Sequence, residues 1–254
     1  MIKNFIANGA SYTEHIDHPD GITKTWATYL AEEMAVEHHV NLASSGVGND
    51  YICHSTINYL EANEFDPKET LVVVMWPGPD RIDVPISQDW YTHLKPEIYS
   101  VCKSDGISHW AGSGGLGGSW QRTSMYKEIF GDLYKIVDPV DLCMQSLRHF
   151  ILLESYLKQQ GYKFIFISDL NRWDTTKKYN QLINFEFNIG YHCKEQPIFK
   201  NFDFSNWLFI NDAKDSISEF ASVDINKAQG FHPSDEMHRQ FARKILLPAI
   251  RKFQ

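Results

Sequence analysis

Thr70-Leu71-Val72-Val73-Val74-Met75-Trp76 is the stretch that decides the fold. It is an unbroken apolar run dominated by β-branched residues, with no polar face. A strand that alternates apolar and polar residues is covered on one side only. One that is apolar at every position is covered on both, as in a parallel sheet flanked by helices. Lys163-Phe164-Ile165-Phe166-Ile167-Ser168-Asp169 repeats the signature. Residues 2–7 and His39-Val40-Asn41-Leu42-Ala43 read as two further strands, and Trp207-Leu208-Phe209-Ile210-Asn211 as a short fifth.

Helical periodicity fills the spaces between these strands. Trp26, Tyr29, Leu30 and Met34 recur at helical spacing within Thr25–Met34, with Thr23 or Thr25 near the cap. Residues from about Asp50 to Glu61 predict a second helix, with Ile52, Thr56, Tyr59 and Leu60 facing inward, and Cys143–Gln159 a third. Ser234–Phe253 closes the chain as a helix with Met237, Phe241, Ile245 and Ile250 on one face, and Pro248 should kink or end it. Strands alternating with helices predict an α/β chain, a three-layer α/β/α sandwich around a parallel sheet. We expect one domain over residues 1–254. Residues 84–142 read as an irregular insertion roofing a pocket, and 170–206 as a second irregular region.

Composition narrows the function. Of 254 residues, 43% are hydrophobic and 22% charged, as in ordinary soluble proteins. A net charge of −8 and the lack of a basic run argue against nucleic acid as a partner. No apolar run reaches the roughly 18 residues a membrane span needs, and the opening Phe5-Ile6-Ala7 is too short for a signal peptide, so a cytoplasmic location is expected. Cys53, Cys102, Cys143 and Cys193 form no CxxC pair and fit reduced thiols. His38 and His39 are adjacent in a strand and point to opposite faces, while His15 and His18 beside Asp17 and Asp20 make a weak cluster, so no metal site is expected. Gly112–Gly118 lacks the Gly-Lys-Ser/Thr ending of a phosphate loop and reads as a flap.

Parallel sheets bind ligands at the carboxyl ends of their strands. Four clusters fall at or near that edge: Asn8-Gly9-Ala10-Ser11-Tyr12-Thr13, Ser44-Ser45-Gly46-Val47-Gly48-Asn49, Trp76-Pro77-Gly78-Pro79-Asp80-Arg81, and Gly230-Phe231-His232-Pro233-Ser234 before the last helix. A serine hydroxyl becomes a nucleophile when a base such as histidine takes its proton. Ser11 also fits a plain turn, His232 a loop histidine, Gly46 a turn glycine, Asn49 a helix cap, and Asp80-Arg81 an ion pair.

In these blocks the chain resembles the SGNH hydrolases, the GDSL-like esterases and lipases. The likeness rests on Gly9-Ala10-Ser11, on Asn41-Leu42-Ala43-Ser44-Ser45-Gly46, and on His232-Pro233-Ser234 followed by His238. It implies a flavodoxin-like parallel sheet, an acyl-enzyme route with Ser11 as nucleophile and His232 as base, and no cofactor. It also implies an oxyanion hole that includes the backbone N–H groups of Ser11 and Gly46. Two departures stand out. Pro79 occupies the place of the family's oxyanion asparagine and offers no donor, so Asn49 from the neighbouring loop is expected to replace it. Gln229 stands where the family has aspartate three residues before the histidine, leaving Asp224 as a candidate acid and a Ser–His dyad as the alternative. The expected activity is a serine esterase acting on a small acyl ester, with an O-acetyl group on a carbohydrate as the favoured substrate. A binding or structural module that has lost catalysis is the main rival. A flavodoxin-like binder that cradles a phosphate with Ser11 and Thr13 is the second.

Overall fold

The computed structural model describes residues 1–14, 24–94, 102–105, 108–113, 130–133, 135–176, 188–220 and 232–251. Its centre is a parallel sheet of four strands: β1 (Asn4–Asn8), β2 (His38–Asn41), β3 (Thr70–Trp76) and β7 (Lys163–Ser168). The order is β2-β1-β3-β7. Ile6 lies opposite Val40 on one side and Val72 on the other, and Val73 lies opposite Ile165. A single parallel bridge from Phe166 to Trp207 extends the sheet by one position, so the expected fifth strand is reduced to one paired residue. With that bridge the order matches flavodoxin-like sheets.

Alternation along the strands builds two cores. Phe5, Ala7, Leu71, Val73, Met75, Ile165 and Ile167 face α1 (Trp26–Met34) and the C-terminal helix. Ile6, Val72, Val74, Trp76, Phe164 and Phe166 face α2 (Asn49–Glu61) and α4 (Pro139–Gln160). Every residue of β3 is buried, the outcome its apolar run requires. Helix layers on both faces make this a three-layer α/β/α sandwich. Full burial of Leu71 through Val74 is worth about 1.5–3 kcal/mol per large side chain, so β3 is the main apolar anchor of the sheet.

The region expected to be irregular is partly ordered. β4 (Asp83–Ile86), β5 (Cys102–Ser104) and β6 (His109–Gly112) form a separate antiparallel sheet in the order β4-β6-β5, beside α3 (Gln88–Leu94). Strands of three or four residues, one of them carrying Pro85, are too short to show a period. Helix α4 begins at Pro139, four residues before the expected start. Asp138 caps it by accepting the backbone N–H groups of Val140 and Asp141, and Pro139 stands where no intrahelical donor is needed. The final helix runs through α5 (Asp235–Phe241), a π-helical turn at Ala242–Leu246, and Leu247–Ile250. The wide turn lies directly before Pro248, so the helix continues past the residue expected to break it.

Candidate functional site

The first two loops are stitched together at the carboxyl edge of the sheet. Asn8 is fully buried at the end of β1 and its Nδ2 donates to Ser55 Oγ at 3.0 Å and Thr56 Oγ1 at 2.8 Å on α2, while its Oδ1 accepts the Gly9 N–H at 2.7 Å. The chain then turns: the N–H groups of Thr13 and Glu14 both donate to the Ala10 carbonyl, and Ser11 stands in this turn, half-buried. Across from it, the Ser44 N–H donates to the Gly9 carbonyl at 3.1 Å, the Ser45 N–H to Glu14 Oε2 at 2.6 Å, and Asn41 Nδ2 to the Thr13 carbonyl at 2.6 Å. Gly46 follows with φ +80°, a conformation open to glycine at little cost. Among the described residues, neither the Ser11 nor the Gly46 backbone N–H is spent on another group.

Ser11 lines a small cleft of about 10 Å³ together with Ala10, Tyr12, Pro77, Arg81 and Asp169. Such a volume is close to a single water-sized position. His232 comes to the neighbouring residue: its ring meets Tyr12 edge-on, with centroids 5.1 Å apart. The fold therefore brings the entry to the last helix against the loop after the first strand. Among the described residues, no hydrogen bond joins the Ser11 hydroxyl to His232. Asp224 and Gln229 lie outside the described residues, as do His15, His18 and most of the glycine stretch.

Asp169 is a site residue that sequence reading passed over. It directly follows β7, and its backbone carbonyl accepts Ser218 Oγ at 2.6 Å and Ser216 Oγ at 2.9 Å. Its carboxylate lies 3.6 Å from Arg172 Nε. Burial pushes the Asp169 pKa up, Arg172 and Arg81 pull it back, and Asp80 pushes it up further. Arg172 and Asp80 also crowd the space above Gly78, where a Cβ would come 2.7 Å from Arg172 Nη2. Two arginines and Asp80 thus gather around Asp169, and Arg81 and Asp169 share the cleft with Ser11. Burial raises the Tyr12 pKa as well, with Asp169 adding to the shift and a hydrogen bond with Ser218 opposing it. The available signal was a carboxylate at the carboxyl end of a buried parallel strand, the position where ligands bind.

Asn49 is not where the replacement oxyanion donor was expected. It does not line the Ser11 cleft. It is the first residue of α2 with Gly48 at the N-cap position, and its Nδ2 donates to Ser146 Oγ on α4 at 2.9 Å. Packing of α2 on α4 captures the amide before it can reach Ser11. The cap is supplied from 35 residues away: Asp83 accepts the Gly48 N–H at 2.8 Å and the Tyr51 N–H at 2.9 Å. Desolvation raises the Asp83 pKa to about 7, although both N–H groups favour its charged form. Asn49 instead lines a second cavity of about 40 Å³, and Arg81 borders both spaces. Arg81 Nη1 donates to the Val47 carbonyl at 3.2 Å, which holds the guanidinium between the loops after β2 and β3.

Among the described residues, no group of three or more His, Cys, Asp or Glu side chains is disposed to hold a metal ion, and no helix is long and apolar enough to cross a membrane. His39 stacks on Phe5 with centroids 5.2 Å apart, while His38 is exposed, so the adjacent pair does split between faces.

The fold and cleft define an α/β/α sandwich with a serine, an arginine and a buried carboxylate at the carboxyl edge of its sheet. No protein-family model and no curated protein sequence matches the chain. Two solved structures align along nearly all of it. "Crystal Structure of TesA" covers 99% of both chains at 11% identity with a TM-score of 0.49. A lipase, Lip_vut3 from a goat rumen metagenome, covers 97% of this chain and 96% of its own at 9% identity and a TM-score of 0.48. Neither likeness is close enough to carry a residue's role across.

Proposed function

We propose that the chain is a serine esterase of the SGNH type and that the Ser11 cleft is its active site. The observation that carries this reading is the Tyr12–His232 ring contact, which joins the two blocks that any Ser–His mechanism needs although 221 positions separate Ser11 from His232. His232 takes the Ser11 hydroxyl proton as Ser11 Oγ attacks the ester carbonyl. The unspent N–H groups of Ser11 and Gly46 hold the oxyanion, and donors of this kind are worth about 10²–10³ in rate each. His232 then passes the proton to the departing alcohol. Water, with His232 again as base, releases the acid. No cofactor enters these steps. The substrate we favour is a small acyl ester, an O-acetyl group on a carbohydrate.

A binding module that keeps the fold without the chemistry is favoured by one observation, the absence of a hydrogen bond between Ser11 and His232. Two measurements separate the readings. Wild type should hydrolyse p-nitrophenyl acetate, and folded Ser11→Ala and His232→Ala variants should fall to background. A fluorophosphonate should label wild type at Ser11. No turnover and no label would make the binding module the better account.

A further inference from the structure

We propose that the cavity beside the Ser11 cleft, at the start of α2, is a subsite that reads hydroxyl groups and receives the polyhydroxylated alcohol of the ester. This rests on the esterase reading of Ser11. The cavity is bordered by Asn49, Asp50, Arg81, Ser146 and His149.

The Asn49 amide can be oriented from its surroundings. The Ser146 hydroxyl donates to the Leu142 carbonyl at 3.1 Å, so the same oxygen must accept, and the group 2.9 Å from it on Asn49 is the NH₂. That leaves Asn49 Oδ1 as the free end of the amide. Asn49 is 3% exposed and this oxygen is buried without a hydrogen-bond donor. Asp50 Oδ1 on the same wall makes no hydrogen bond but is flanked by His54 Nε2 at 3.2 Å and His149 Nε2 at 3.4 Å, with the side chain 31% exposed. Asp83 is better supplied, because each of its oxygens already takes a backbone N–H group. A buried acceptor left unmade costs about 1–3 kcal/mol, so Asn49 Oδ1 on the cavity wall favours a ligand that brings a donor.

Charge decides which donor. Arg81 on the cavity wall opposes a bound cation, and Asp50 opposes an anion. A neutral hydroxyl satisfies both sides, because it donates to a carboxylate or amide oxygen and accepts from guanidinium. The cavity is about 40 Å³, against the roughly 10–15 Å³ that one water position requires, so it has room for about three hydroxyl-sized groups. Arg81 also borders the Ser11 cleft, so the two spaces share one wall residue.

The test is a ratio of kcat/KM values. 1-Acetylglycerol and 6-O-acetylglucose are each compared with propyl acetate, in wild type, Asn49→Ala and Asp50→Asn. Wild type should prefer at least one hydroxylated ester by about tenfold or more, the effect of one or two neutral hydrogen bonds. That ratio should fall toward one in both variants, whatever happens to absolute rate. The preferred ester tells a glycerol from a sugar. A wild-type ratio near one, or a ratio unchanged in both variants, overturns the subsite. If neither ester is turned over and Ser11 takes no fluorophosphonate, the esterase reading has failed. The subsite is then judged by NMR shifts of Asn49 and its neighbours on adding glycerol or methyl glucoside to the wild-type chain. Shifts that vanish in Asn49→Ala support it, and their absence in wild type overturns it.

Discussion

The rings of Tyr12 and His232 meet at 5.1 Å with their planes 65° apart, an edge-to-face pair. Such a pair is worth about 0.5–1.5 kcal/mol beyond its buried area. It is also the contact that brings the imidazole to the Ser11 loop. Removing the ring in Tyr12→Ala should lower kcat/KM on p-nitrophenyl acetate by about two- to tenfold, the factor to which 0.5–1.5 kcal/mol converts in populating the aligned imidazole. Tyr12→Phe keeps the ring and loses the hydrogen bond with Ser218, so it should retain most of the activity. Equal losses in both variants would remove the ring contact from the argument.

Gly9 should not tolerate a side chain. A Cβ there would stand 2.9 Å from the Met75 carbonyl oxygen and against Thr13 Oγ1, which accepts the Trp26 indole N–H at 3.2 Å. Neither neighbour is a loose side-chain end. Overpacking of this kind costs about 1–3 kcal/mol, so Gly9→Ala should unfold at lower urea than wild type and lose activity through displacement of the Ser11 turn. A wild-type urea midpoint would show that the loop yields freely.

Asp83 should give stability a pH slope. Its pKa is raised to about 7 in the folded chain and lies near 4 when unfolded. Between those values the folded state holds the proton more tightly. The Asp83 contribution is therefore full below about pH 4 and is lost as pH rises toward 7. Urea unfolding of wild type and Asp83→Asn across this range should differ in slope, with the variant flatter. Asp83→Ala strands the Gly48 and Tyr51 N–H groups and should cost about 1–3 kcal/mol at any pH in the range.

His238 should give the opposite slope. It is 1% exposed on α5, and burial, aided by His232, lowers its pKa to about 3. The unfolded chain takes up this proton near pH 6.5 and the folded chain does not. Stability from this group is thus intact above about pH 6.5 and is lost as pH falls toward 3. His238→Gln should lose less in Tm than wild type between pH 7 and pH 4.5. An identical acid loss in both chains would show that His238 is already charged or exposed.

Much of the fold was legible because it is local. The run Leu71–Val74 can only be covered on both faces, and helical spacing at Trp26, Leu30 and Met34 names the side that does some of the covering. Edges were less legible. Strand β2 stops pairing at Asn41 because β1 opposite it is ending, which no property of Leu42 or Ala43 announces. The start of α4 at Asp138-Pro139 was present as a cap signal but lay before the first periodic residue.

By itself, the sequence determined the parallel sheet, its two buried faces and the position of Ser11 after the first strand. These follow from hydrophobic period and chain order, which act over a few residues. Only the tertiary structure decided that Tyr12 meets His232, that Asp83 caps a helix from 35 residues downstream, that Ser146 holds the Asn49 amide away from Ser11, and that Asp169, Arg172 and Arg81 gather in one place. Those outcomes depend on which helix packs on which face and on the burial that makes each polar group find a partner. Neither is encoded in the spacing of the residues concerned.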